Sequence, residues 1–146
     1  MKIRAMKIHF LSALFVLAAL PLSASAASSI DGYQWHNRLL IVFANDAASV
    51  PLAQQRAFAD EGRARYAERD LVPVEVIGND VKGTSESAAA LRQCYGVAAN
   101  MFRVLLIGKD GGVKLQSAEP IDPQRIFGTI DAMPMRREET QRAPKS

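Results

Sequence analysis

The sequence has one cysteine, Cys94, among 146 residues. A single thiol cannot close a disulfide within the chain, so side-chain packing must stabilise the fold. A dithiol redox cycle also needs a second sulfur, which this chain would have to obtain from another molecule. The scarcity of cysteine therefore excludes a disulfide-bonded scaffold and self-contained dithiol chemistry.

Histidine is almost as scarce, since only His9 and His36 are present. A zinc site needs about four ligands, and no spacing of Cys, His, Asp or Glu along the chain predicts one. No serine–histidine–acid group and no pair of carboxylates stands out as catalytic machinery. We therefore predict no catalytic, cofactor-binding or metal-binding residue and no cofactor, and we place His36 on the surface.

The first 26 residues have the layout of a secretory signal peptide. Lys2, Arg4 and Lys7 precede an apolar segment at 10–22, and residues 24–26 form an A-x-A cleavage motif. The alternative is a membrane anchor, but this segment has 13 residues and a spanning helix needs roughly 18. We predict an exported protein, periplasmic or secreted, with no membrane span after cleavage.

Net charge is also absent once that segment is removed. Three of the 18 Lys and Arg residues, and none of the 15 Asp and Glu residues, lie in 1–26, so 27–146 contains 15 of each. Opposite charges also neutralise one another locally, as in Arg136-Arg137 beside Glu138-Glu139. The sequence therefore predicts no nucleic-acid partner.

What the chain does contain is an alternation of strand and helix patterns. Residues 38–44 and 104–107 are continuous apolar runs, typical of strands buried on both faces. Residues 71–77 are rich in β-branched side chains, but Pro73 cannot donate to a sheet ladder, which favours an edge position. Further predicted elements are helices over 52–68, from a Ser85 or Ser87 cap to Tyr95 and from Pro123 onward, a strand at 113–116 after the Asp110-Gly111 turn, and a loop at 78–87.

The order of these elements is βαβαββα. The first strand–helix–strand unit should cross over right-handedly and pair in parallel, and the last two strands form a hairpin. Placing the two apolar runs centrally gives a mixed sheet of order 2-1-3-4 with flanking helices. We predict an α/β, thioredoxin-like domain over 27–139, followed by a flexible tail over 140–146. Its predicted core contains Leu39, Ile41, Phe43, Leu105, Ile107 and Phe127.

Residues 95–114, YGVAANMFRVLLIGKDGGVK, resemble the segment of thioredoxins that holds a cis-proline, a buried strand and a glycine-turned hairpin. Counting along that segment places Met101 at the cis-proline position. The C-x-x-C motif of thioredoxins would fall near Ala48-Ser49-Val50-Pro51. The attacking thiolate and the docking backbone of the cis-proline are therefore both replaced, which argues against dithiol oxidoreductase activity.

Four strings spread over the mature chain carry a second resemblance. They are Trp35-x-x-Arg38-Leu39-Leu40, Glu68-Arg69-Asp70-Leu71, Leu106-Ile107-Gly108-Lys109-Asp110-Gly111-Gly112-Val113-Lys114 and Ile130-Asp131-Ala132-Met133-Pro134-Met135-Arg136. They resemble the bacterial family called domain of unknown function 4174. That family is thioredoxin-like or peroxiredoxin-like and is related to domains of vertebrate extracellular-matrix proteins with sushi repeats or coiled coils. The resemblance implies the fold and an exported setting, and it carries over no catalytic residue.

Cys94 and Trp35 each have two interpretations. Cys94 lies near the predicted end of a helix, where the backbone disfavours a thiolate, so a tolerated, partly buried thiol is favoured over a peroxidatic or sensor thiol. Trp35 is interpreted as a core residue that caps the sheet, and the alternative is a surface on which Arg38 stacks against the indole.

Charged residues beside the predicted turns are interpreted as structural. Arg69, Asp70, Asp131 and Arg136 are expected to form a charge network that joins helix ends to the rim of the sheet. The segment with Lys109, Asp110 and Lys114 lacks the length and the following helix of a phosphate-binding loop, and hairpin turn chemistry accounts for it.

The favoured function is a non-catalytic binding module for an unknown extracytoplasmic protein or small molecule. Ligands of open α/β sheets bind beyond the carboxyl ends of the strands, so the loop after the first strand and the Met101 turn are the predicted recognition surface. The alternative is an enzyme, a single-cysteine thiol peroxidase or reductase that acts through Cys94. A small-molecule carrier is a third hypothesis. The residues predicted to form the rim are Asn45, Asp46, Ser49 and Phe102.

Overall fold

The structure is a computed structural model, and it describes residues 29–143. The predicted signal peptide at 1–26 and the last residues of the predicted tail, 144–146, lie outside the described residues. The elements are α1 (Ile30–Tyr33), β1 (Arg38–Ala44), α2 (Val50–Glu61), α3 (Arg63–Glu68), β2 (Leu71–Ile77), β3 (Asp80–Lys82), α4 (Ala88–Tyr95), β4 (Arg103–Ile107), β5 (Val113–Ser117), α5 (Pro123–Asp131) and α6 (Pro134–Arg142).

The five strands form one mixed sheet in the order β3-β2-β1-β4-β5. β1 and β2 are parallel, and the other neighbouring pairs are antiparallel. The four predicted strands therefore have the predicted neighbours, and the α/β, thioredoxin-like class is confirmed. The sheet order differs from the predicted one by the additional strand β3, which lies in the segment 78–87 that was predicted as a loop.

The prediction that the Pro73 strand lies at the sheet edge is therefore wrong. β3 pairs only with Glu75–Ile77, so on that side of β2 Pro73 has no ladder partner, whereas on the other side it lies opposite Leu40 of β1. Beyond β3 the chain turns at Gly83, whose φ is +92°. A Cβ atom at Gly83 would lie 2.6 Å from the carbonyl oxygen of Pro73, so only glycine allows this close passage.

Buried side chains cover both faces of β1, as the apolar run predicted. All seven of its residues are buried, and alternate residues enter two separate clusters. Leu40, Val42 and Ala44 pack with the helices α2, α3 and α5, whereas Ile41 and Phe43 pack with residues of α4. Each residue of the predicted core is buried.

The helix predicted to end at Tyr95 matches the structure closely, whereas α1 was not predicted and the helix predicted from Pro123 onward is two helices, α5 and α6. Ser87 caps α4 through its side chain, and Gly96 ends that helix with a φ of +64°. The predicted helix 52–68 is instead two helices, divided at Gly62. A Cβ atom at Gly62 would lie 3.0 Å from the Phe127 ring, which packs directly against the backbone there.

The last helix, α6, starts at Pro134 and continues to Arg142, beyond Thr140, where the tail was predicted to begin. None of its residues is buried. Of the residues the structure describes, no helix combines the length and the apolar character that crossing a membrane requires.

Candidate functional site

Two polar regions lie at opposite ends of the sheet. We call the first the carboxyl-end groove, because it lies where β1 and β2 end. We call the second the cation cluster, and it surrounds the start of β1 and the end of β4. The groove has an open volume of about 610 Å³. Its lining residues are Asn45, Gly78, Asn79, Ala88, Ala89, Arg92, Gln93, Gly96, Val97, Ala98 and Ala99.

The local sequence explains why the groove is open. Gly78 follows β2 with a φ of +56°, and its N–H donates to the carbonyl of Ala44 at 3.0 Å, which joins the ends of the two strands. The adjoining face of α4 carries Ala88 and Ala89, whose short side chains leave space above the sheet. Small residues therefore form the floor.

Arg92 is the buried charge of this groove, with only 9% of its surface exposed. Its guanidinium donates to the carbonyl oxygens of Ala44 at 2.8 Å and Ala98 at 3.0 Å, and it lies 5.4 Å from the centroid of the Phe43 ring. No carboxylate within residues 29–143 forms a salt bridge with it. Burial lowers the pKa of Arg92 from its ordinary value, as expected for a cation paired only with carbonyl dipoles.

Three carboxamides surround this buried cation. Asn45, Asn79 and Gln93 are exposed, and their side chains make no hydrogen bond to other residues in the part of the chain that the structure describes. Each offers two donors and an acceptor. The groove therefore presents neutral hydrogen-bonding groups around one positive charge.

Of the four predicted rim residues, Asn45 lines the groove and the other three do not. Asp46 accepts a hydrogen bond from the backbone N–H of Ala48 at 2.9 Å, which shapes the loop after β1. Ser49 precedes the first residue of α2, and Phe102 packs against the core. Met101 is exposed, and no cis peptide bond occurs in residues 29–143.

Arg92 was not predicted as a groove residue. The sequence feature that could have indicated its position is a charged residue directly after the inward-facing Leu91 on a helix of eight residues. A charge at the border of a buried face needs a polar partner, and the carbonyls at the ends of β1 and α4 provide it.

At the other end of the sheet, the cation cluster contains three side chains that are almost fully buried, those of Arg38, Arg69 and Lys109. Arg69 binds Asp131 through two hydrogen bonds of 2.9 and 2.8 Å. Lys109 donates to Asp70 at 2.8 Å. The predicted network of Arg69, Asp70, Asp131 and Arg136 is thus brought together, with Arg136 lying 3.6 Å from Asp131.

Glu139 completes the cluster from α6. Arg38 donates to its two carboxylate oxygens at 3.2 Å each, the Lys109 ammonium lies 2.8 Å from Oε1, and Arg136 lies 3.5 Å from Oε2. Burial opposes ionisation of this carboxyl, but the hydrogen bonds from Lys109 and Arg38 outweigh it, so the pKa of Glu139 is lowered. The sequence analysis did not connect Arg38, Lys109 and Glu139, which are separated by up to 101 residues.

Trp35 is not a core residue, so that prediction is wrong. It is 61% exposed, and its φ of +68° turns the chain into β1 while its N–H donates to the Lys109 carbonyl at 2.6 Å. Arg38 is buried and binds Glu139 instead of stacking on the indole. The turn after β4 has the predicted chemistry: Asp110 accepts from Gly112 and Lys114, and Gly111 has a φ of +82°.

The prediction that Cys94 is partly buried is wrong, because its residue is exposed at the end of α4. It lies outside the groove, in a separate cavity of about 290 Å³ beside Tyr33 and Tyr95. His36 is exposed, as predicted. In residues 29–143, no three His, Cys, Asp or Glu side chains are grouped as metal ligands would be.

The carboxylates of the cation cluster should make stability depend on acid pH. Hydrogen bonds from Arg69 lower the pKa of Asp131, so this group stabilises the folded state above its unfolded pKa, and the contribution is lost as the pH falls through the folded value. Because Asp131 is half exposed, we expect Asp131→Asn to cost roughly 0.5–1 kcal/mol at pH 7. Urea unfolding at pH 7 and pH 2.5 measures this.

The difference between wild type and Asp131→Asn should shrink as the pH falls from 7 to 2.5, because protonation of Asp131 removes the charge that the variant lacks. Asp60→Asn is the matched control, since within residues 29–143 Asp60 pairs only with the exposed Arg63. A difference for Asp131→Asn that does not shrink between pH 7 and pH 2.5 would contradict the ion-pair explanation.

Comparison with known proteins identifies a family and several similar solved structures. The family described as domain of unknown function (DUF4174) matches residues 29–139. A crystal structure assigned to a thiol:disulfide interchange protein, DsbE, from Chlorobium tepidum is 19% identical, covering 64% of this chain and 80% of that one, with a TM-score of 0.47. At this level the structural similarity carries no argument about activity.

Proposed function

This chain belongs to the family described as domain of unknown function (DUF4174), and on that premise we propose that it is an exported, non-catalytic binding module. Its ligand site is the carboxyl-end groove, and its partner is an extended segment of another extracytoplasmic protein. The observation that carries this proposal is Arg92, a buried cation that lines an open groove and has no carboxylate partner in residues 29–143.

Arg92 supports a ligand that supplies hydrogen-bond acceptors. A guanidinium group has five N–H donors. That of Arg92 makes two hydrogen bonds, both to backbone carbonyls. A buried charge is costly unless polar groups surround it, so further carbonyl or carboxylate oxygens would stabilise this cation. A peptide backbone or a chain-terminal carboxylate provides such oxygens.

The carboxamides favour a polypeptide over a compact small molecule. The side chains of Asn45, Asn79 and Gln93 can pair with the alternating donors and acceptors of an extended peptide backbone. Because carboxamides are neutral, the peptide needs no charged group to bind them. The groove is also open and shallow-floored, which suits a chain that enters and leaves at its two ends. The third hypothesis, a small-molecule carrier, would require a more enclosed cavity.

A displayed library of random peptides tests this proposal. We expect purified residues 27–146 to select peptides that shift the backbone NMR signals of Asn79, Gln93 and Ala98. The double variant Asn79→Ala, Gln93→Ala should weaken a selected peptide roughly tenfold, from two lost hydrogen bonds of about 1 kcal/mol each that are partly replaced by water. Gln116→Ala, an exposed carboxamide on β5, is the matched control.

Two results would contradict the proposal. Selected peptides whose signals map to another surface would place recognition elsewhere, and a library that yields no specific peptide would exclude this ligand class. Retention of a small molecule by protein purified from its host, seen by native mass spectrometry, would favour the carrier.

The second candidate is the single-cysteine peroxidase or reductase. It is favoured by the exposure of Cys94 and by the cavity beside it. Such an enzyme would transfer one peroxide oxygen to Cys94, which leaves an alcohol, or water in the case of hydrogen peroxide, and a sulfenic acid on Cys94. One external thiol would then condense with the sulfenic acid to a mixed disulfide and water, and a second would release Cys94 as a thiol. We expect no catalytic peroxide consumption with an external thiol. Consumption that Cys94→Ser abolishes would replace the binding proposal.

Export is part of the proposal and rests on the sequence of 1–26. The mass of the protein isolated from outside the cytoplasm should correspond to a chain that starts at Ala27. A mass that includes the first 26 residues would contradict cleavage.

A further inference from the structure

A small cavity adjoins the cation cluster at the end of the sheet opposite the groove. Its volume is about 150 Å³. Its lining includes Arg38, Lys109 and the ion pair of Asp110 with Lys114, and residues 133–135 contribute apolar surface. Because Lys114 neutralises Asp110, the cavity combines the two cations Arg38 and Lys109 with a surface suited to a compact apolar group.

The carboxylate of Glu139 already shows how this site binds an anion. Arg38 holds it by the paired, fork-like hydrogen bonds that guanidinium groups make to carboxylates, and Lys109 adds a third contact. These cations are fixed by other partners. Arg38 also donates to the carbonyl of Arg69 at 2.9 Å, and Lys109 also binds Asp70. The site would thus keep its shape if Glu139 left it.

The helix that carries Glu139 is attached weakly. No residue of α6 is buried, and its side chains reach the cluster through the ion pairs of Arg136 and Glu139. Glu139 is already 26% exposed. Moving this carboxylate into water would therefore expose little apolar surface.

Arg38 also has unused binding capacity. It is only 1% exposed, and its Nε atom has no hydrogen-bond partner in residues 29–143. A buried donor without a partner is unusual, so the hydrogen-bonding groups of this guanidinium are not all satisfied within the described residues.

We propose that the Arg38–Lys109 pair is a binding site for a small monocarboxylate with a compact apolar group, and that Glu139 is its internal competitor. The ligand carboxylate takes the place of the Glu139 carboxylate, and the apolar group enters the cavity against Met133 and Met135. A cavity of about 150 Å³ accommodates a group the size of a benzene ring. This site is independent of the carboxyl-end groove and does not rest on the proposed function.

Calorimetric titration with benzoate tests the proposal. Glu139→Gln removes the internal competitor and should tighten benzoate binding about tenfold relative to wild type. In this variant every molecule has the site open to benzoate, whereas in the wild type Glu139 occupies it in most molecules. Glu138→Gln is the matched control, because it removes the same charge from a neighbouring residue that pairs only with Arg142. It should leave benzoate affinity within about twofold of wild type. Benzamide, the neutral analogue, should not bind.

Hydrogen exchange on the wild-type protein gives a second result that does not depend on any variant. Benzoate should accelerate exchange of the backbone amides of residues 138–142, because this last part of α6 loses the ion pairs of Glu139 when its carboxylate is displaced, whereas the start of the helix stays against the ligand. Equal binding of benzoate and benzamide, equal effects of the two glutamate variants, or unchanged exchange in α6 would each overturn the proposal.

Discussion

Replacing Phe127 by alanine is expected to lower the free energy of unfolding by about 3–5 kcal/mol. The ring is buried, and it meets Tyr66 edge-on at a centroid distance of 5.7 Å. The guanidinium groups of Arg65 and Arg69 lie 4.1 and 4.8 Å from its centroid. Its removal would create a cavity and also take away the support of the arginine that binds Asp131. Urea unfolding followed by circular dichroism measures the loss.

Phe127→Leu is the control for this prediction. Leucine keeps most of the apolar volume but cannot offer a ring face to the two arginines. We expect a smaller loss of unfolding free energy than for Phe127→Ala. The difference between the two variants gives the contribution of the cavity. A cost below about 1 kcal/mol for Phe127→Ala would show that this end of the core collapses to fill the space.

The strands were predictable because their patterns are local. An unbroken apolar run such as 38–44 has no exposed face, so it must lie inside a sheet with helices on both sides. The Asp110-Gly111 dipeptide determines its own turn, and Ser87, Gly96 and Asp122 are local helix signals. Each of these features depends on neighbours within a few residues.

The added strand β3 and the break at Gly62 were not predictable in the same way. The three residues of β3 are too few to show a periodic pattern, and they form a strand because β2 offers an unpaired edge. Gly62 interrupts a helical pattern because a ring 65 positions later needs the space above it. Both depend on contacts between distant segments, which composition and periodicity do not record.

The two polar regions illustrate the same limit for the candidate sites. Contact among Arg69, Asp70, Asp131 and Arg136 was predictable because they stand beside predicted element ends. Contact between Arg38 and Glu139 was not, because nothing in either segment indicates the other. Trp35 was interpreted as a core residue that caps the sheet, whereas its positive φ at the entry to β1 accompanies an indole exposed to solvent.

The arrangement of charge distinguishes the two ends of the sheet functionally. At the cation cluster, each buried cation has a carboxylate from a distant part of the chain, so the charges there hold helices to the sheet. In the groove, Arg92 has only carbonyl partners, so its charge is left for a ligand. For this reason we assign protein recognition to the groove and only a competitive, displaceable site to the cluster.

Replacing Gln55 by leucine is expected to destabilise the fold by roughly 1–3 kcal/mol for each of two orphaned backbone groups. The buried amide of Gln55 accepts from the N–H of Ile121 at 2.8 Å and donates to the carbonyl of the same residue at 3.2 Å. Leucine has a similar size but satisfies neither group, and no water replaces a partner in a packed core without space for it.

Gln54→Leu is the matched control, since Gln54 is the exposed neighbour in the same dipeptide and should change stability by no more than about 0.5 kcal/mol. Ile121 immediately precedes Asp122, the cap of α5, so Gln55→Leu should also accelerate amide exchange at the start of that helix, which carries Phe127. Equal unfolding midpoints for the two glutamine variants would show that the Ile121 segment finds other partners. In that case the anchoring of α5 would depend on the Phe127 ring and the Asp131 ion pairs rather than on this buried amide.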